Sequence, residues 1–127
     1  MGPRKALVDT SAWIETLRSD GDQTIRDMVV ELTTEGNVVL CEMVLVELWN
    51  GAQGPSEQRM LRDLSDELER VPTTNEVWEL AFDFAQTCRR KGLTVPATDL
   101  LIAACASYHD LRIVHADQHF DRLLAVL

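Results

Sequence analysis

The 127-residue sequence predicts an α/β fold: βαβ units around a parallel sheet. Three observations carry that expectation. Short apolar runs (Ala6-Leu7-Val8, Val38-Val39-Leu40, Arg112-Ile113-Val114) alternate with longer stretches of helical periodicity, the pattern of βαβ units. Apolar residues make up 46% and charged residues 26%, as in a packed globule. No repeat, low-complexity tract or linker interrupts the chain, so residues 1–127 read as a single domain.

The elements follow in order. Residues 5–8 form a strand that ends at Asp9, and a helix over 11–18 carries Ile14 and Leu17 at helical spacing. Asp20-Gly21-Asp22 makes a turn. Residues 22–35 place Ile25, Met28, Val29 and Leu32 on one face of a helix that stops at Gly36. A strand over 38–40 leads to a mostly apolar helix, 42–50, closed by Gly51. After Gly54-Pro55, residues 56–69 are helical through Met60, Leu61, Leu64 and Leu68, and Arg70-Val71-Pro72 is at most a short strand. Thr73-Thr74-Asn75-Glu76 fits a capping box. The helix behind it aligns Val77, Leu80, Ala81, Phe84, Ala85 and Cys88 and ends at Gly92. Pro96 precedes a helix over 97–109. A strand over 112–114 and a helix over 118–124 complete the pattern.

The formal net charge of −9 argues against gripping nucleic acid through bulk charge. It does not argue against a nucleic-acid enzyme, because carboxylates gathered around divalent cations make a chain acidic while the ion supplies the local positive charge. No apolar run approaches the ~18 residues that span a bilayer. The opening Met1-Gly2-Pro3-Arg4-Lys5 runs directly into the first strand and leaves no room for a signal peptide. Cys41, Cys88 and Cys105 form no CxxC pair and read as reduced core thiols of a cytoplasmic protein.

Four carboxylates fall where a surface charge is not expected. Asp9 ends the first strand and Asp117 follows the last one, and ligand sites in open parallel sheets form outside the carboxyl ends of strands. Glu47 and Asp99 are lone charges in otherwise apolar helices. A desolvated, unpaired carboxylate is costly, so it neutralises, pairs with a cation or binds a metal. Each acid also has a structural reading: Asp9 as a helix N-cap, Glu47 paired with an arginine, Asp99 as a first-turn acid favoured by the helix dipole, and Asp117 as a turn residue. Oxygen donors without nearby bases suit a hard cation such as Mg²⁺, whose natural chemistry with phosphate is phosphodiester hydrolysis.

Val8-Asp9-Thr10-Ser11-Ala12-Trp13 resembles the opening of PIN-domain ribonucleases, especially the VapC toxins of bacterial toxin–antitoxin pairs. Val46-Glu47-Leu48-Trp49-Asn50-Gly51, Thr98-Asp99-Leu100-Leu101-Ile102-Ala103-Ala104 and His115-Ala116-Asp117-Gln118-His119-Phe120 resemble three further blocks of that family, in its order. The resemblance implies a three-layer α/β/α sandwich with a short, mostly parallel central sheet and room for at most a short edge strand at 124–127, and a Mg²⁺- or Mn²⁺-dependent endoribonuclease. It implies that Asp9, Glu47, Asp99 and Asp117 form the acidic quartet and that Ser11 supports it. It also implies an RNA substrate, a homodimer and a small VapB-like antitoxin partner. His115 departs from the Thr common in the family at that position.

Other residues are weighed beside these. His115 and His119 have i, i+4 spacing that suits zinc on a helix, but His115 sits at a strand end. Arg89-Arg90-Lys91 complements a helix dipole or contacts RNA phosphate. His109 reads as a surface residue at a helix end. Trp13 and Trp49 are core, or line a groove beside the site. Glu42 and Asp121 are candidate auxiliary ligands. A haloacid-dehalogenase-like phosphatase is disfavoured, because position 11 is Ser where a second Asp is needed. The remaining alternative is a non-catalytic PIN-like interaction module, which all four acids being present argues against.

Overall fold

A computed structural model describes residues 4–127. Part of the opening pentapeptide, on which the signal-peptide argument rests, lies outside the described residues. The order is β1 (Ala6–Val8), α1 (Thr10–Leu17), α2 (Gln23–Thr34), β2 (Val38–Cys41), α3 (Glu42–Gly51), α4 (Gly54–Glu67), β3 (Glu69–Val71), α5 (Asn75–Arg90), α6 (Ala97–Tyr108), β4 (Arg112–Val114) and α7 (Gln118–Val126). The four strands form one parallel sheet in the order β3-β2-β1-β4. Ala6 pairs with Val38 on one side and with Arg112 on the other, so β1 is central.

β1 and β2 are buried at every residue, which is why they read as continuous apolar runs rather than alternating ones. β3 and β4 are edge strands and carry charges: Glu69 and Arg70 on one, Arg112 on the other. The connections from β1 through β2 to β3 progress to one side, and the chain then crosses back to place β4 beside β1. Right-handed crossovers put the helices before and after that reversal on opposite faces of the sheet. The layers share one core that includes Leu7, Leu40, Val44, Ile102 and Phe120. Cys41, Cys88 and Cys105 are buried and unbridged.

Several sequence expectations shift. Residues 124–127 are not an edge strand. Phe120 and Leu123 are buried and Val126 is half-buried, a helical repeat that carries α7 through Val126. The cap of α5 is Thr74, which accepts the Val77 N–H at 3.3 Å, whereas the backbone N–H of Thr73 donates to Glu42. Glu69 begins β3 rather than ending α4. His109 stands at the end of α6 as expected, and its Nε2 lies 2.8 Å from the Pro72 carbonyl, which ties that end to the segment after β3.

Candidate active site

The reversal of strand order falls between β1 and β4, the place where open α/β sheets form ligand clefts. Asp9 directly follows β1, and Asp117 follows β4 by three residues. β4 is an edge strand, but its pairing with β1 still brings the two ends side by side. The Asp9 N–H donates to the Val114 carbonyl at 2.8 Å. Asp9 is 4% exposed and is the one buried polar or charged residue among those described. It is also the N-cap of α1: Oδ2 accepts the Ser11 N–H at 3.0 Å and the Ser11 hydroxyl at 2.6 Å. Capping thus leaves Oδ1 available.

Ser11 links the two strand ends. Its Oγ donates to Asp9 and accepts the Ala116 N–H at 3.0 Å. Asp117 caps α7, with Oδ1 accepting the His119 N–H at 2.9 Å. Glu47 projects from α3 and accepts the Thr10 hydroxyl at 2.8 Å; no arginine pairs with it among the described residues. Thr10 is not among the predicted site residues. Its contact spans 37 positions, so no local pattern signals it.

Asp99 stands in the first turn of α6. Its carboxyl is pushed up to about 6, first by burial and then by the negative charges of Asp9, Asp117 and Glu47; His119 opposes this weakly. A first-turn acid is ordinarily favoured by the helix dipole. Here desolvation and three like charges outweigh that advantage. The fold therefore brings all four sequence-identified acids within electrostatic reach of one another. Among the described residues none of the four is salt-bridged to Lys or Arg.

This donor set fits a hard divalent cation in chemistry: all oxygen, mutually repelling and without a Lys or Arg partner among the described residues. As placed, no three His, Cys, Asp or Glu side chains among the described residues close around a single point. Mg²⁺ keeps several waters and takes only one or two carboxylates directly.

The auxiliary candidates go elsewhere. Glu42 accepts the Thr73 N–H at 3.0 Å, which holds its carboxyl below the usual range. Asp121 faces His115 Nε2 at 3.3 Å, while His119 Nδ1 faces Asp117 at 3.3 Å. The two histidines thus turn to different carboxylates and form no zinc pair. Arg89, Arg90 and Lys91 are exposed at the end of α5, and Lys91 donates to the Val126 carbonyl at 2.9 Å.

The tryptophans separate. Trp13 is core, at 2% exposure, while Trp49 is partly exposed with Arg62 6.0 Å from its ring centre. A groove of about 370 Å³ does open beside Glu47, but its apolar walls are Ile14, Leu17, Leu48, Met60 and Leu61 and neither tryptophan.

The chain matches the PIN-domain family over residues 6–124. It is 33% identical over 118 residues to VapC ribonuclease Mb1587 of Mycobacterium bovis, covering 91% of this chain and 88% of that one. It is 30% identical over 105 residues to Ribonuclease VapC21 of Mycobacterium tuberculosis, covering 80% and 76%. In fold it resembles DNA-bound VapBC from Salmonella typhimurium, with a TM-score of 0.80 at 21% identity over 95% of this chain and 93% of that one. Mycobacterium tuberculosis VapC20, a sarcin–ricin-loop-cleaving toxin, gives 0.69 at 20% identity over 93% and 94%. The family match and the curated relatives agree: the chain belongs to the PIN-domain family, in its VapC ribonuclease branch.

Proposed function

We propose that this protein, acting as one domain, is a cytoplasmic Mg²⁺- or Mn²⁺-dependent endoribonuclease and the toxin of a toxin–antitoxin pair. The observation that carries the reading is the raised Asp99 carboxyl, produced by burial and by Asp9, Asp117 and Glu47 around it at the switch point of the sheet. Asp9 and Asp99 would hold the cation most directly, with Glu47 and Asp117 completing the set. When bound, the ion supplies Lewis acidity toward water and a phosphodiester. The chain's own residues do the rest. Ser11 keeps Asp9 aligned with the loop after β4, and Thr10 orients Glu47. The buried strand ends exclude bulk water behind Asp9.

RNA is the substrate class, as the VapC ribonuclease relatives suggest. The structural neighbours include VapBC complexes, which supports a VapB-like antitoxin; a homodimer accords with the family resemblance. The groove beside Glu47 suits an apolar antitoxin segment that directs an Arg or Lys toward the acids. That cation would form charge-assisted hydrogen bonds with the carboxylates, while the apolar contacts supply most of the affinity.

Cleavage-site mapping on total cellular RNA, with Asp9→Asn as control, tests the activity. Discrete new 5′ ends that require Mg²⁺ and vanish in the variant are expected. Identical RNA profiles for both proteins would leave the non-catalytic module as the better reading.

A further inference from the structure

We infer that His115 is a positioning residue for Asp117, fixing the loop after β4 through its ring nitrogens; the inference rests on the proposed role of the acids. The Asp117 N–H donates to His115 Nδ1 at 3.3 Å, which assigns the lone pair to Nδ1 and the ring hydrogen to Nε2. Nε2 faces Asp121 Oδ1 at 3.3 Å. The ring packs against buried Phe120, centroid to centroid 5.4 Å at a 30° tilt. The His115 side chain is 15% exposed and Asp121 is 74% exposed, so packing and the Nδ1 contact dominate and the Asp121 contact is minor.

The consequence lies in the backbone. Asp117 sits at φ −127°, ψ 122°, the extended N-cap conformation from which its carboxylate reaches the His119 N–H. Ala116 is held separately, by Ser11 and through it by Asp9. Two consecutive amides are thus tied by two different side chains, and His115 holds the one that belongs to Asp117. A threonine at this position could accept the same amide through its hydroxyl, as Ser and Thr do in local turns. It would lack the ring that packs on Phe120 and reaches Asp121. Imidazole therefore keeps the acceptor and adds an anchor.

Three variants separate the contacts. His115→Asn retains an acceptor where Nδ1 stands, His115→Gln retains a donor where Nε2 stands, and His115→Phe retains only the ring shape. Mn²⁺ affinity by calorimetry, read beside melting temperature in EDTA, distinguishes them. The Asn variant is expected to keep Mn²⁺ affinity near wild type while melting lower for want of the ring, whereas Gln and Phe lose roughly tenfold in Mn²⁺ affinity, the size of effect seen for groups that orient metal ligands. Equal losses in Asn and Gln, losses that follow the melting temperatures, or no loss in any variant would overturn the inference. A wild-type protein that binds no Mn²⁺ overturns the nuclease reading itself, and this inference with it. A wild type that binds Mn²⁺ with three unchanged variants overturns only the inference.

Discussion

Helices α5 and α6 pack against each other and use charge in opposite ways. α5 is capped by the Thr74 hydroxyl, has Glu76 in its first turn and ends on Arg89 and Arg90, all favourable to its dipole. Only Val77, Ala81 and Cys88 are fully buried on it, so its outer face remains free for polar residues. α6 starts at Pro96 with no side-chain cap and is buried at every residue from Leu101 to Ala106. Its lone charge, Asp99, stands among three other acids and ionises only near pH 6. The first helix is arranged for local stability. The second tolerates a destabilising charge at the place where a cation would use it.

The sharpest way to break this comparison is to neutralise Asp99. Asp99→Asn should lower RNA cleavage by roughly 100-fold or more, since even groups that only orient metal ligands contribute 10–100-fold. Wild-type turnover in a discontinuous RNA assay would mean that the charge on α6 has no functional purpose.

The same variant should be more stable than wild type without metal. The Asp99 carboxyl rises from 3.8 to about 6 on folding, so between those values the native state holds more protons than the unfolded chain and stability falls as pH rises. The penalty is complete above about pH 6 and absent below about pH 4. Partial solvation reduces it to about 1–2 kcal/mol. Urea unfolding in EDTA at pH 8 should favour Asp99→Asn by that amount, and the difference should vanish at pH 3.5. A constant difference across that range would place its origin outside this titration.

On α5 the expected effects are purely structural. Thr74→Ala should cost about 1 kcal/mol in urea unfolding through loss of the cap, with Mn²⁺ affinity unchanged. Arg90→Glu should cost about 0.5 kcal/mol by placing a negative charge at the helix C-terminus, and added salt should shrink that cost. A large change in metal affinity from either would blur the division between the helices.

Much of this contrast was legible in the sequence. The apolar circumference of α6 and its single acid stand out in Leu100-Leu101-Ile102-Ala103-Ala104 after Asp99, and the face of α5 follows from its periodicity. What escaped depends on partners distant in the chain. Thr10 meets Glu47, and Thr73 meets Glu42, only after βαβ crossovers bring them together. Trp13 and Trp49 look alike in sequence, yet one faces the core and the other the surface, because α1 and α3 present different faces to the sheet. The family resemblance leaves room for an edge strand in the last four residues. Their spacing from Phe120 and Leu123 continues a helix, and that longer pattern prevails.

The central claim is that Asp9, Glu47, Asp99 and Asp117 together make one divalent-cation site. Electron paramagnetic resonance of Mn²⁺ titrated with wild-type protein and with Asp9→Asn, Glu47→Gln, Asp99→Asn and Asp117→Asn tests it directly. The account predicts that wild type depletes the free-ion signal, that Asp9→Asn and Asp99→Asn lose this capacity, that Glu47→Gln is nearly as severe, and that Asp117→Asn is mildest. Undiminished free Mn²⁺ with wild type, or equal binding by wild type, Asp9→Asn and Asp99→Asn, would contradict it.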